Sequence, residues 1–297
     1  MKNLLETSTL MCMSFALVLT ACGGDDANDD EVGDTTTGDT TGDTTTDDTT
    51  TDSTTTDSTT DTTTADTSTT DATDTAGDMG MIRLLHLGVF PNDANTSVDI
   101  FANGAPTGVT FEFKQGTPYV ELPAGTYTFD VVPSGGTIDD SVFTVADFPL
   151  GAGEVWSAYA AGYVAPEAGN AGFSVAAFQD DADGIPAGNL RLNVVHAAAL
   201  GALDPVDVWV VDAECAPVSP LLVDFAYGDI AANVDIPAGA INIGFDVGQD
   251  ATVDACFTVP DLGGDILVDA YAVNDSQGNV SIIAHLPDGS VAELTPN

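Results

Sequence analysis

The sequence predicts an all-β protein with two tandem antiparallel β-sandwich domains that follow a disordered, Thr/Asp-rich linker. Residues 120–125 (VELPAG) recur as residues 234–239 (VDIPAG), each at a corner between two runs of alternating apolar and polar residues. Most other segments after Gly80 are short runs of β-branched and aromatic residues bounded by Gly, Pro, Asn or Asp. No window shows sustained helical periodicity, which excludes a helical or α/β fold.

The N-terminal residues 1–21 have the pattern of a lipoprotein signal peptide. Lys2 forms a basic start, and an apolar stretch too short to span a bilayer stably follows it. The stretch ends in Leu-Thr-Ala-Cys22, which resembles the bacterial lipobox. The resemblance implies cleavage before Cys22 and acylation of that cysteine, so we expect a lipid anchor and membrane attachment. Gly23, at the position after the cysteine, favours the outer membrane. An ordinary signal peptide with a chance cysteine is the alternative.

Residues 22–79 are expected to form a disordered tether. Threonine and aspartate dominate this stretch, and large apolar residues are nearly absent from it. Such a composition cannot bury enough surface to offset the entropy of ordering, and its like charges extend the chain. A calcium-binding or glycosylated tract is the alternative to a plain spacer.

The formal net charge of −43 limits the partners of the protein. After Gly80 the only basic residues are Arg83, Lys114 and Arg191. A surface with so few cations repels phosphate backbones and anionic headgroups. Nucleic acid is therefore excluded as a partner, whereas an envelope protein or a glycan is compatible with this charge.

The matched segments define two repeats, which we place at residues 80–182 and 188–297. Each repeat has a histidine at a strand end, a Val-Asp-(Ile/Val)-aromatic strand, the Pro-Ala-Gly corner and an Ala-Tyr-Ala strand. Loop insertions explain why the offset between matched segments drifts along the chain. Residues 180–188, which are rich in Asp and Gly, are the expected linker where the repeats meet.

These motifs resemble the bacterial domain of unknown function 4397 family. The histidine, the Val-Asp-(Ile/Val)-aromatic strand, the Phe-x-x-Gly segment and the Leu/Ile-Pro-Ala-Gly corner occur in order in both repeats. The resemblance implies β-rich, extracytoplasmic, often tandem domains akin to immunoglobulin or transthyretin-like sandwiches, and it implies no enzymatic activity. The second repeat departs at Asn193, where the first has Arg83.

Equivalent polar residues are the first candidates for chemistry. His86 and His196 each precede an equivalent aspartate, Asp99 and Asp207. Each histidine could act as a catalytic base oriented by its aspartate, but no sequence motif marks a nucleophile for such a pair. The favoured interpretation is structural: each histidine closes a loop by bonding backbone, and each aspartate satisfies amides near a strand start. His285 falls where the first repeat has Phe178, which predicts a half-buried strand position.

Cys215 and Cys256 are the only thiols after Cys22, and an oxidising envelope favours a disulfide between them. Two reduced, buried cysteines are the alternative. Asp180, Asp181 and Asp183 lie before a glycine, as in calcium loops, but the distal glutamate of an EF-hand is missing. These three aspartates are the candidate calcium ligands, and no cofactor is otherwise expected.

Trp156, Tyr159 and Tyr163 suggest a sugar-stacking platform, against the commoner alternative of core aromatics. The sequence as a whole predicts a non-catalytic binding or adhesion module in an outer-membrane lipoprotein. The alternatives are a structural envelope spacer and a hydrolase that uses a His–Asp pair.

Overall fold

A computed structural model describes residues 78–297 of the chain. The signal peptide, Cys22 and nearly all of the Thr/Asp-rich tether lie outside the described residues. Within residues 78–297 there are 18 strands and three short 3₁₀ helices, and no helix there is long and apolar enough to cross a membrane. The expected all-β fold class is confirmed.

The first two sheets are built from the first repeat. We call the sheet that contains its first strand sheet A. Its strands are β1 (Met79–Val89), β4 (Gln115–Gly116), β5 (Val120–Pro123), β8 (Val155–Tyr163) and β9 (Ser174–Gln179). Sheet B packs against it, and its strands are β2 (Val98–Ala102), β3 (Ala105–Phe111), β6 (Gly125–Pro133) and β7 (Phe143–Leu150).

The second repeat forms the other two sheets in the same order. Sheet C contains β10 (Asn189–His196), β13 (Ile230–Pro237), β16 (Ile266–Asn274), β17 (Val280–His285) and β18 (Val291–Leu294). Sheet D contains β11 (Val206–Val211), β12 (Pro217–Phe225), β14 (Ile241–Asp246) and β15 (Ala255–Val259). The two sandwiches therefore repeat one topology, and β18 is an additional edge strand in the second.

Each sandwich contains one parallel strand pair, which the sequence did not indicate. β1 runs parallel to β8, and β10 runs parallel to β16, whereas the other named pairs are antiparallel. The long connection between the two partners crosses through the opposite sheet, as parallel neighbours require. As a result, the loops that follow β1 and β8 leave the sandwich at the same end.

The Pro-Ala-Gly phrase is the corner at which the chain changes sheets. In the first repeat the chain leaves sheet A after Pro123 and enters sheet B at Gly125. The amide of Ala124 donates to the carbonyl of Asp78 at 2.6 Å, and the equivalent Ala238 donates to Gly188 at 2.9 Å. Both corners are thus tied to the residue before the first strand of their repeat, which explains why the phrase recurs.

The Phe-Asp-Val sequences that follow the two corners do not occupy the same register. Phe129 pairs with Ala102, whereas Phe245 pairs with Val208, the residue equivalent to Ile100. The matched letters are thus displaced by two positions. A shift of two keeps each side chain on the same face of the sheet, so the apolar pattern survives it.

Sheets A and C face each other, so the layers are in the order B, A, C, D. One apolar cluster joins the two repeats, and its buried members come from β1, β8 and β9 on one side and from β10, β16 and β17 with Ala197 on the other. Separate clusters fill the interior of each sandwich. The repeats therefore keep their own cores and share a third one between them.

A disulfide joins Cys215, in the turn after β11, to Cys256 on β15, with 6.1 Å between their Cα atoms. The expected bridge is confirmed, and it links two segments of sheet D. The first repeat has no counterpart of it, so the bridge adds stability to a fold that forms without one.

Replacing both Cys215 and Cys256 with alanine is expected to lower the free energy of unfolding of the second sandwich by roughly 4 kcal/mol. The bridge closes a segment of 41 residues, and opening it returns that entropy to the unfolded chain. Urea unfolding in a Trp156→Phe background, where Trp209 is the remaining tryptophan, measures the loss by fluorescence. A reductant should reproduce the loss in the wild type and have no effect on the double variant; an unchanged midpoint in the variant contradicts the prediction.

Candidate functional site

The surface between sheets A and C is made from equivalent positions of the two repeats. The pairing registers give the equivalent pairs, which are Leu85 with Val195, Leu87 with Ala197, Tyr159 with Tyr271, and Ala161 with Val273. The two tyrosine rings meet with their centroids 5.2 Å apart. This arrangement resembles the self-complementary interface of a symmetric dimer.

A buried ion pair crosses this surface. The Arg83 Nη2 atom lies 2.6 Å from the Asp269 Oδ2 atom, and neither side chain is exposed to solvent. The contact is an electrostatic pair without the alignment of a hydrogen bond. The Arg83 Nε atom donates to Ser157 Oγ at 2.7 Å, and its Nη1 atom donates to the carbonyl of Leu286 at 3.2 Å. The guanidinium of the first repeat is thus held by groups of both repeats.

A second carboxylate, that of Asp180, lies beside the ion pair. Its Oδ2 atom is 3.8 Å from Arg83 Nε and accepts hydrogen bonds from Tyr119 Oη at 2.6 Å and Ser157 Oγ at 2.5 Å. Its Oδ1 atom accepts a hydrogen bond from Asn193 Nδ2 at 2.9 Å. Four groups from both repeats therefore surround one carboxylate that the sequence placed at the start of a linker.

Arg83 is the one cation beside two buried carboxylates, those of Asp180 and Asp269, and this imbalance of charge shifts pKa values in the cluster. Burial and, second, the charge of Asp269 raise the pKa of Asp180 to about 6. The neighbouring acids raise the pKa of Arg83 although burial opposes them, so the guanidinium stays charged. Burial also raises the pKa of Tyr119, which keeps its hydroxyl as a donor to Asp180.

The two repeats differ at the positions that form the ion pair. Arg83 pairs with Ser157 across β1 and β8, and the equivalent Asn193 pairs with Asp269 across β10 and β16. Asn193 Nδ2 donates to Asp269 Oδ1 at 3.0 Å. The cation is thus in one copy and the anion in the other, and the position equivalent to each is occupied by a neutral residue, Asn193 for Arg83 and Ser157 for Asp269.

The two equivalent histidines have the structural role that was favoured. His86 Nε2 lies 3.0 Å from the carbonyl oxygen of Thr96, and His196 Nε2 lies 2.7 Å from that of Leu203. Burial lowers the pKa of His86 to about 4 and also lowers the pKa of His196. A neutral ring with its Nε2 proton on a carbonyl closes the loop after the strand.

The equivalent aspartates bind turn groups rather than the histidines. Asp99 accepts hydrogen bonds from Thr110 Oγ1 at 2.6 Å and from the amide of Gly135 at 2.8 Å, which lower its pKa. Asp207 accepts one from the amide of Asp224 at 2.8 Å. No His–Asp hydrogen bond is formed in the described part of the chain, so the geometry gives no support to a base and its orienting carboxylate.

His285 also bonds backbone, but across the two repeats. Its Nε2 atom lies 2.9 Å from the carbonyl oxygen of Thr117, and the residue is fully buried rather than half-buried as expected. Burial and the nearby Arg83 charge lower its pKa to about 4. A side chain added at Gly116 would come within 2.7 Å of this ring, so the glycine permits the close approach.

The three aspartates considered for calcium are separated by the fold. Asp180 lies in the buried cluster, and the backbone carbonyls of Asp181 and Asp183 accept hydrogen bonds from Arg191 Nη1 at 3.0 and 2.8 Å. Arg191 also forms an ion pair with Asp235, with 2.7 Å between Nε and Oδ1. Residues 78–297 contain no group of three or more histidine, cysteine, aspartate or glutamate side chains placed to hold a metal ion. Calcium at this loop stays a prediction that the geometry does not support.

The three aromatic residues considered for sugar stacking do not share a surface. Tyr159 is buried between the repeats, and Trp156 packs edge-on against Phe148 while its Nε1 donates to Glu154 at 3.0 Å. Trp156 and Tyr163 are both partly exposed, but they lie at opposite ends of β8. The platform of three residues is therefore not formed.

The fold and this site define a class of protein: a duplicated β-sandwich protein whose buried polar cluster joins the two copies. The model of a family described as "Domain of unknown function (DUF4397)" matches residues 80–205, so the first repeat and the start of the second are similar to this family. A search of curated proteins found no match.

Among solved structures, the chain resembles the Bacillus anthracis TIE protein at 12% identity and a TM-score of 0.20. The match covers 74% of this chain and 44% of that one. A likeness of this size does not bear on function.

Replacing Arg83 with methionine is expected to lower the free energy of unfolding by about 3–5 kcal/mol, because two buried carboxylates then lose their only cation. The matched control is Arg191→Met, which is expected to lose much less stability, because its partner Asp235 is one-quarter exposed and solvent screens the pair. Chemical unfolding of both variants measures the difference. Equal losses in the two variants would show that the buried pair has no special role.

The buried histidines predict a specific pH dependence. The pKa of His285 falls from 6.5 to about 4 on folding, so between these values the unfolded chain binds a proton that the folded chain does not. Relative to His285→Gln, the wild type should therefore lose about 3 kcal/mol of stability as the pH falls from 7 to 4. The raised pKa of Asp180 changes stability in the opposite direction as the pH falls. Asp180 is present in both the wild type and His285→Gln, so the difference between their stability curves reports the histidine. Parallel stability curves for the two proteins would refute it.

Proposed function

We propose that the chain is a cell-envelope lipoprotein that displays two tandem copies of this domain on an acidic tether, as a non-catalytic binding or adhesion module. The Cys22 box and the tether composition, both outside the described residues, support the anchor and the spacing from the membrane. The family match ends at residue 205, but the second repeat has the topology of the first. That identity of topology supports the second copy.

The observation that carries the proposal is the buried ion pair between Arg83 and Asp269. Together with the shared apolar cluster, it fixes the two sandwiches to each other. A rigid two-domain unit holds loops from both copies in one arrangement, which reduces the entropy lost when a ligand binds them. A flexible pair of domains would not gain this advantage.

The chemistry of the described side chains is consistent with binding rather than catalysis. The three histidines have their Nε2 atoms on backbone carbonyls, and the aspartates equivalent in the two repeats hold turns. Arg83, Lys114 and Arg191, the cations of residues 78–297, all pair with acids. Such a surface suits neutral or cationic partners and disfavours nucleic acid.

Rigid coupling of the two sandwiches also favours the second candidate, a structural spacer of the envelope. A spacer needs stiffness but no specific ligand. Self-association of the full chain in calcium, measured by light scattering, is expected for a lattice-forming spacer and not for an adhesion module.

The anchor and the display are tested together in cells. The wild-type chain should incorporate an alkyne-labelled fatty acid and fractionate with the outer membrane, whereas Cys22→Ser should lose the label and the membrane association. Protease added to intact cells should remove the folded region and abolish adherence to host or neighbouring cells. Protection from the protease places the domains in the periplasm and refutes adhesion; retained labelling of Cys22→Ser refutes the anchor.

A further inference from the structure

The loops at one end of the two sandwiches enclose a cleft of about 360 Å³ that belongs to neither interior. The first repeat contributes the loop after β1 and the loop after β8; the second contributes Leu200 and the turn between β16 and β17. We propose that this cleft binds a neutral carbohydrate, such as the end of a glycan chain. The inference deepens the proposed function, on which it rests, by naming the site and the class of ligand.

The walls of the cleft are held in place by hydrogen bonds between the repeats. The carboxylate of Asp93 accepts hydrogen bonds from the amide and the hydroxyl of Ser276, at 3.0 and 2.9 Å. Asn274 Nδ2 donates to Tyr163 Oη at 2.8 Å, and the amide of Gly201 donates to Asn170 Oδ1 at 3.1 Å. The cleft is therefore formed before a ligand arrives, which favours affinity for a small, polar molecule.

The backbone beside the cleft is held in a sparsely populated conformation. Asn92, Asp93 and Asn95 have φ values of 56°, 49° and 54°, in the left-handed region that residues other than glycine seldom occupy. Such conformations persist where the surroundings impose them. Here the conformation brings Asp93 to Ser276 and leaves the exposed side chain of Asn92 at the cleft.

The lining offers free polar groups beside apolar surface. No hydrogen bond within residues 78–297 engages the side-chain amide of Asn92, the Nδ2 of Asn170 or the carboxylate of Glu167. Phe90, Tyr163 and Leu200 supply half-buried apolar surface in the same cleft. A sugar presents hydroxyls that both donate and accept, together with apolar C–H faces that pack on rings, and this lining matches both requirements.

The charge of the cleft excludes anionic ligands. No lysine, arginine or histidine lines it, and Glu167 does. Burial and then the nearby charges of Asp275, Glu167 and Asp93 raise the pKa of Tyr163, against the hydrogen bond from Asn274. Phosphorylated, sulfated or sialylated sugars would meet only repulsion, whereas amide groups suit uncharged hydroxyls.

The test uses the full chain, solubilised in detergent, against immobilised neutral oligosaccharides (chitotriose, mannotriose and lactose), with sialyllactose and a sulfated disaccharide as anionic probes. We expect saturable binding to at least one neutral sugar and none to the anionic ones. Asn92 and Gln277 both line the cleft, so Asn92→Gly and Gln277→Ala should each weaken that binding at least tenfold. Glycine tolerates the positive φ of Asn92, so the first variant removes the amide without straining the loop.

Asn103→Gly is the matched control, because Asn103 also has a positive φ, 49°, but lies in the turn between β2 and β3, away from the cleft. It should change the affinity less than twofold. Sugar binding that is unaffected by Asn92→Gly and Gln277→Ala refutes the cleft while leaving the proposed function intact. If the cells adhere but the protein binds no neutral sugar, or binds anionic sugars or basic peptides instead, the ligand class is refuted and the proposed function is not. A wild-type protein that neither supports adherence nor binds any sugar refutes the proposed function as well.

Discussion

The buried pair of Arg83 and Asp269 is the constraint on which the arrangement of the two repeats depends. An apolar surface alone is tolerant of small displacements, because its attraction is non-directional. A guanidinium that must lie between Asp269, Asp180 and Ser157 tolerates almost none, because any displacement leaves a buried charge without its partner. The ion pair therefore specifies the register in which sheets A and C pack, while the apolar cluster around Tyr159 and Tyr271 supplies most of the attraction.

Duplication within one chain makes this asymmetric ion pair between the repeats possible. In a symmetric dimer of identical domains, a residue near the two-fold axis meets its own copy, so an arginine there would face an arginine. A tandem chain encodes the two copies separately, and the equivalent positions can differ. Here Arg83 corresponds to Asn193, and Ser157 corresponds to Asp269. The apolar positions of the two repeats are alike, whereas the polar positions carry a cation in the first repeat and an anion in the second. This difference favours packing of the first repeat against the second over packing of two identical repeats.

Local patterns of the sequence predicted the strands, the duplication and the corner phrase, because alternation and turn residues act over a few positions. The structural role of His86 and His196 also followed from their places at strand ends. The parallel pairing of β1 with β8 joins residues about 74 positions apart, and no local pattern encodes that register. Arg83 was visible only as a departure from its equivalent Asn193. Asp180 looked like part of an exposed linker, because the groups that bury it come from distant strands of both repeats. A cation or an acid that replaces a neutral residue at matched positions of a duplicated domain is the signal that would have found this cluster.

The contacts that hold the fold together also determine which side chains remain free to bind a ligand at the proposed cleft. The histidines, the arginines and the aspartates of the turns are all engaged in holding the fold, so the chemistry left at the surface is that of amides, aromatic rings and unpaired carboxylates. These groups are brought together where the loops after β1 and β8 meet the β16–β17 turn of the other copy. That meeting requires the parallel pairs, which send both loops of a repeat to one end, and it requires the fixed register of sheets A and C, which aligns that end with its counterpart. A single repeat supplies only part of the walls of the cleft. Two repeats that moved independently would not keep their parts of the cleft facing each other. The proposed recognition surface therefore depends on both repeats, and the buried Arg83 holds the two repeats together.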